Sequence, residues 1–235
     1  MTTQKAIAII MVTGNMPLLN LAIVFPYLLM SIIIFGSINI DLIATTPRLP
    51  IPGETINGNN FLTAGGGKGA NQAVAAARLG IPTKIVGRVG NDSFGQQLLT
   101  SLQTANVDTA GVVVDDIHTG VAVIAVDASG ENSIIVVPGA NHRINNTDVE
   151  RLRNLLLNAT ALLLQLEIPL EFAMNAAKVA QEMGVKVILD PAPMPVNFPN
   201  DFYSLIDIIT PNESPQLLFI PDISTIITFV SCFVD

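Results

Sequence analysis

The chain has 235 residues, enough to bury a core as one large domain or two small ones. A formal net charge of -8 and an isoelectric point near 4.6 argue against nonspecific nucleic-acid binding, which draws on Lys and Arg meeting phosphates, but leave room for a small anionic substrate held by local cations. The single cysteine, Cys232, excludes an internal disulfide and fits a reducing cytoplasm, and the two histidines, His118 and His142, make no cluster at zinc-ligand spacing.

No Lys or Arg falls between Lys5 and Arg48, and none follows Lys186. Within the first gap, residues 6–35 form an uncharged stretch long enough to span a bilayer on length alone. Gly14, Asn15, Pro17, Asn20 and Pro26 interrupt it, and it lacks the short apolar core and cleavage site of a signal peptide. Residues 1–30 therefore read as a hydrophobic extension outside the domain, with a membrane anchor through residues 6–30 as the alternative.

Regular patterning begins at SIIIFG, residues 31–36, a short apolar run that reads as a strand buried on both faces. ETINGNNFLTA, residues 54–64, reads as an extended strand. A helix follows over 70–79, closed by Gly80 with Pro82 behind it. TKIVGRVG is a second buried strand, after which Asp92 or Ser93 caps a helix carrying Phe94, Leu98 and Leu102 on one face. Residues 120–140 read as a hairpin turning at Ala128 to Glu131. Thr147 and Glu150 form a capping box ahead of RLRNLLLN. ALLLQLE (161–167) is a strand, LEFAMNAAKVAQEMG a helix ending at Gly184, and VKVILD and LIDIIT are strands. Apolar strands alternating with amphipathic helices predict a parallel sheet covered on both faces, with the 54–64 and 120–140 strands forming a small second sheet. That sheet is either a lid reached through Gly65 to Gly67 or an edge hairpin with no moving role. Sequons at Asn145, Asn158 and Asn212 read as chance matches.

Three glycine-loop chemistries compete for GGGKGAN, residues 65–71. A P-loop fails, because Lys68 is followed by Gly69 and the first glycine position holds Leu62. Gly65, Gly67 and Ala70 satisfy a dinucleotide fingerprint with Asp92 downstream, but GNNFLTA is too polar for the buried strand that must precede it. In the third, glycines let backbone approach a ligand while the following helix aims free N–H groups and its positive end at the same place. Lys68 and Asn71 add polar groups there, which suits a polyhydroxy ligand about to receive phosphate. The plain alternative is that the glycines only permit tight helix-to-sheet packing.

GSINID, residues 36–41, places Asn39 and Asp41 two apart, on one side, at the carboxyl end of the first strand, where open parallel sheets bind ligands. Carboxylate and amide together can hold adjacent sugar hydroxyls; an Asp there is otherwise a turn residue. Glu167, ending ALLLQLE, falls at the same sheet edge. His118 and His142 lie in polar turns and read as solvated.

Taken in order, GSINIDL, PGETINGNNFLTAGGGKGANQAVAAARLG, VGNDSFG, LLLQLE and DIITPNES resemble the ribokinase family of phosphofructokinase-B-type carbohydrate kinases, over about 31–214. The resemblance implies a Rossmann-like α/β domain, mostly parallel with helices on both faces, carrying a β-sheet lid often used for homodimerisation. It implies transfer of the ATP γ-phosphate to the 5-hydroxyl of D-ribose, with Mg2+ and a monovalent cation such as K+. Carried over by motif, Asn39 and Asp41 hold sugar hydroxyls, Gly67, Lys68, Gly69 and Asn71 line the pocket, Glu167 closes it, and Asn212 lies on the ATP and magnesium side. No nucleic-acid partner is implied.

Two departures accompany the match. The family continues N-x-x-E after the DIITP strand, whereas Pro215 stands three positions after Asn212; residues 215–235 resemble nothing in the family. The family's G-A-G-D segment, whose Asp is the catalytic base, is absent from this sequence. These departures predict a chain truncated relative to the family, without a catalytic residue of its own, retaining sugar recognition but inactive in phosphoryl transfer; a non-catalytic sugar-binding or lid-pairing fragment is the alternative.

Overall fold

A computed structural model of the chain describes residues 31–211; the expected extension over 1–30, the tail from 215 and Asn212 lie outside the described residues. In chain order the strands are β1 (Ser31–Phe35), β2 (Asn39–Thr45), β3 (Asn60–Gly66), β4 (Thr83–Gly90), β5 (Val107–Asp115), β6 (Gly120–Val126), β7 (Asn132–Val137), β8 (Ala159–Leu164), β9 (Lys186–Leu189) and β10 (Ile208–Ile209). The helices are α1 (Lys68–Arg78), α2 (Ser93–Thr104), a short 3-10 helix (Gly139–Arg143), α3 (Asn146–Leu156), α4 (Leu170–Glu182) and α5 (Asn200–Tyr203).

Six strands make a parallel sheet in the order β10-β9-β8-β1-β4-β5. Successive side chains of a strand point to opposite faces, and β1 shows what that does here. Ile33 and Phe35 enter one core with Leu162, Leu164 and Val187 of the sheet and Leu152, Leu156, Ala173 and Ala177 of α3 and α4. Ile34, between them, enters a second core with Ile85, Val89, Ala70 and Ala73 of α1, and Leu98 and Leu102 of α2. A strand buried on both faces has no polar alternation, which is why SIIIF and ALLL read as unbroken apolar runs.

Beyond β1 the chain crosses at Gly36–Ile38 into a second sheet of order β3-β2-β6-β7, in which β2 and β6 run parallel and the other pairs antiparallel. The expected hairpin is present, with Asp127 Oδ1 accepting from Ser129 and Glu131 N–H in the turn. The sequence expectations miss β2 and β5 as strands. Residues 54–59 are not strand, and β3 starts at Asn60. Helix α1 begins at Lys68 rather than Ala70.

The capping box is also corrected. Asn145, not Thr147, caps α3 and Asp148, not Glu150, completes the box, with Asn145 N–H donating to Asp148 Oδ2 at 2.9 Å. Burial decides between the two overlapping patterns. Asp148 is fully buried and accepts from Arg88 Nε at 2.9 Å and Arg151 Nη1 at 2.7 Å, whereas Glu150 is exposed. Arg88, on β4, also donates to Asp115 Oδ2 at 2.6 Å, so a buried ion cluster ties β4, β5 and α3 together.

Candidate functional site

The carboxyl ends of β1, β8 and β9 and the amino end of α1 meet through Ser37, Glu167, Asp190 and Lys68, next to the start of β2. Residues 65–71 serve two distinct purposes there. Gly67 has φ of 88°, and a Cβ on it would stand 2.8 Å from Asn39 N and 2.9 Å from Ser37 O. A Cβ on Gly69 would lie 2.7 Å from the backbone of Gly36 and Ser37. These two glycines let α1 rest on the crossover from β1 to β2, so the packing alternative holds for them. Gly66 differs, because a Cβ there would collide with the Asp41 carboxylate, with Oδ1 at 2.2 Å. In the β2–β3 register Asp41 lies opposite Ala64, and its side chain passes over Gly66. Gly69→Ala is expected to destabilise the domain by about 1–3 kcal/mol, the range for forcing a methyl into packed backbone; urea unfolding with an unchanged midpoint would contradict this contact.

The start of α1 is not a set of free donors, as the third glycine-loop interpretation expected. Lys68 N–H donates to Glu167 Oε2 at 3.1 Å, Gly69 N–H to Ser37 Oγ at 3.4 Å and Ala70 N–H to Ser37 O at 2.9 Å. Ser37 Oγ in turn donates to Glu167 Oε2 at 2.6 Å. Gly67, at the helix N-cap, has no side chain to cap with. Glu167 supplies the anion that a capping side chain would otherwise bring, from a loop 99 residues away.

Asp41 and Asn39 lie on the same face of β2, Asp41 partly exposed and Asn39 buried. Burial raises the Asp41 carboxyl above its ordinary value, and the charge of Glu167 adds to the rise. Lys68 Nζ lies 3.5 Å from Asp190 Oδ2, at the end of β9. Burial likewise raises Asp190, and with the Glu167 charge it outweighs the lowering by Lys68. Asn71, in the first turn of α1, is exposed, and so are His118 and His142. The structure thus brings Asn39, Asp41, Gly67, Lys68, Gly69 and Glu167 to one sheet edge and sets Asn71 on the same helix turn.

Two residues at this edge escaped the sequence analysis. Asp190 directly follows the apolar strand β9, while Glu167 comes three residues after β8; both are acids at the end of an apolar run. Asn141, in the 3-10 helix, hydrogen-bonds Ile38 and Asn39 across more than 100 residues, a contact no local pattern announces.

Three carboxylates share this edge with one lysine, a balance that disfavours an anion and suits a neutral molecule rich in hydroxyls. Among the described residues no group of three or more His, Cys, Asp or Glu side chains could hold a metal. Fold and site therefore define an α/β domain that gathers these polar side chains at the carboxyl edge of its parallel sheet, where open α/β sheets bind ligands, next to a small second sheet. Over residues 30–215 the sequence matches the family described as pfkB family carbohydrate kinase. The chain belongs to that family. It is 42% identical over 182 residues to a ribokinase of Haemophilus influenzae, covering 77% of this chain and 59% of that protein. It is 40% identical over 185 residues to a ribokinase of Mus musculus, covering 78% and 57%. A structure of Arabidopsis thaliana ribokinase complexed with ribose and ATP superposes with a TM-score of 0.69 at 39% identity, covering 78% of this chain and 60% of that one. The chain thus spans about three-fifths of the length of these relatives.

Proposed function

We propose that residues 31–211 form the sugar-recognition half of a ribokinase-type enzyme, which transfers the ATP γ-phosphate to D-ribose. The observation that carries this reading is the convergence of Asp41 with the Lys68–Glu167–Ser37 cluster at the carboxyl end of β1. In it, Asp41 accepts two sugar hydroxyls and Asn39 binds a neighbouring one. Lys68 and Asn71 contribute polar groups from the first turn of α1, while Gly67 and Gly69 keep that turn close to the crossover. Glu167 holds the turn in place and closes the pocket. Asn212, outside the described residues, is assigned to the ATP and magnesium side on the family resemblance alone.

Positioning and charge stabilisation dominate phosphoryl transfer. Mg2+ and the monovalent cation enter this reading on the family resemblance alone, since among the described residues no group of three or more His, Cys, Asp or Glu side chains could hold a metal. Recognition is therefore attributed to these residues, and the groups that activate and transfer phosphate are placed outside them. Calorimetric titration with D-ribose is expected to give saturable heat, and the 235-residue polypeptide alone is expected to show no ribose-dependent ATP consumption. Absence of heat would overturn the sugar assignment, and turnover would overturn the division of labour.

A homodimer through the small sheet belongs to the same reading. It is favoured by the exposure of Ile134, Ile135, Val136 and Val137 on β7, an edge strand of that sheet. A protomer mass at every concentration in sedimentation would contradict it. The same reading includes a cytoplasmic location, supported by a sequence with a single cysteine, Cys232. Among the described residues no helix is long and apolar enough to cross a membrane.

A further inference from the structure

Asn141 is nearly solvent-free, at 1% exposure, and every polar atom of its side chain is engaged. Its Oδ1 accepts from Ile38 N–H at 2.9 Å. Its Nδ2 donates to Asn39 Oδ1 at 2.7 Å and reaches Pro138 O at 3.1 Å and Ile38 O at 3.2 Å. Gly120, paired with Asn39 in the β2–β6 register, makes this approach possible: a Cβ on it would lie 2.2 Å from Asn39 Oδ1 and 2.3 Å from Asn141 Nδ2.

An amide side chain can be turned by 180° about its last bond with little change of shape, exchanging donor for acceptor. Here both turns are decided by the backbone. Ile38 N–H can only donate, so it must face the oxygen of Asn141. That puts the Asn141 NH2 against Asn39, which must then answer with its own oxygen. The NH2 of Asn39 is left over. It has no acceptor among the described residues, and it is not among the polar atoms sealed from solvent without a partner. It lies on the strand face it shares with Asp41.

We propose that Asn141 is a positioning residue which, through this two-amide relay from Ile38 N–H, holds Asn39 with its NH2 toward the sugar, so that β2 offers a donor at Asn39 beside an acceptor at Asp41. The inference rests on the pentose reading for its ligand, but the relay itself does not. A donor next to an acceptor selects a hydroxyl pair that can accept at one oxygen while donating from the other, a discrimination that two carboxylates in the same places would not make.

Asn141→Asp tests it. The substitution keeps the side-chain shape and the acceptor for Ile38 N–H, but turns the second group into an oxygen, which requires Asn39 to rotate its NH2 inward and show its oxygen to the sugar. Ribose affinity is expected to fall about tenfold, the scale of one hydrogen bond replaced by an opposition of acceptors. The loss should vanish for whichever of 2-deoxyribose and 3-deoxyribose lacks the hydroxyl that Asn39 reads. A loss equal for all three sugars would mark a merely structural role and overturn the proposal, as would wild-type affinity for ribose.

A readout without ligand separates the relay from the pentose reading. In side-chain amide NMR of the wild-type chain, the Asn39 NH2 protons should exchange with water faster than those of Asn141, and in Asn141→Asp the Asn39 protons should become protected. If they do so while the wild type binds no pentose, the relay stands and the sugar assignment falls; if their exchange is unchanged, the relay is overturned. Should Asn141→Asp fail to fold, Asn39→Asp makes the same swap from the other side. It keeps an oxygen for Asn141 and is expected to lose ribose affinity; unchanged affinity would overturn the proposal.

Discussion

Asp41→Ala is expected to weaken ribose binding roughly 100-fold, about 2.7 kcal/mol, because a carboxylate accepting two hydroxyls makes two hydrogen bonds of the stronger, charged kind. In an enzyme that also holds the nucleotide, ATP affinity should change far less; equal losses for both ligands would contradict the assigned role. The same substitution should not lower the melting temperature at pH 7. The folded-state value of Asp41 is raised, by burial first and by Glu167 second, so the folded chain binds this proton more tightly than the unfolded one. Stability from this group is therefore greatest at low pH and declines as pH rises from 3.8 through the raised folded value. At neutral pH the charge of Asp41 works against folding, and its removal relieves that strain. Binding has the opposite sense, since the acceptor must be ionised. Ribose affinity should begin to fall, on acidification, above the pH at which an ordinary aspartate titrates. A flat affinity between pH 7 and pH 4 would argue that Asp41 does not touch the sugar.

Arg88→Met is expected to destabilise the domain by about 3 kcal/mol in denaturant unfolding near pH 7. It leaves Asp115 and Asp148, both buried, without the guanidinium they share. The expected loss sits at the lower end for a broken buried pair, because Asp148 keeps Arg151 and its cap bond, and Asp115 keeps Arg143 Nε at 3.3 Å. Burial pushes the Asp115 carboxyl up, but the Arg88 hydrogen bond, with Asp116 and Arg143, more than offsets it and holds it below 3.8. A depressed folded value contributes stability that is present above 3.8 and lost as pH falls through the folded value. The difference between wild type and variant should accordingly close at strongly acid pH. A difference constant from pH 7 to pH 3 would mean that packing of the Arg88 stem, not its charge, holds β4 to α3.

The main sheet was legible because strands buried on both faces leave nothing for polar residues to do. SIIIF, TKIVGRVG and ALLL announced β1, β4 and β8, and Gly80 and Gly184, both at positive φ, marked the ends of α1 and α4. The small sheet was harder. NIDLIAT carries no strand pattern for β2, since only Asn39 and Ile40 of that strand are buried. β5 was missed for a related reason: VDTAGVVVD lies at the edge of the sheet and pairs β4 through a register shift between Lys84 and Val86, which breaks the alternation. At α3, NNTDVE carries two overlapping capping patterns, and only Arg88, about 60 residues earlier, selects Asp148. At the candidate site, strand ends and a glycine loop are enough to single out Asn39, Asp41, Lys68 and Glu167, which the structure brings to one sheet edge. The engagement of the α1 donors by Ser37 and Glu167 is not legible in that way, because it joins segments far apart in sequence.

The amino end of α1 has no capping side chain of its own, so the crossover at Ser37 and the carboxylate of Glu167 cap it, while Asp41 lies over Gly66 within reach of the Glu167 charge. On the proposed reading, Glu167 serves the structure while the neighbouring Asp41, raised by burial, serves the sugar. Hydrogen–deuterium exchange of the chain with and without saturating D-ribose tests this most directly. Protection confined to residues 36–41 and 65–71 and to the segment around Glu167 is the predicted result; unchanged exchange there, or protection only elsewhere, would contradict it.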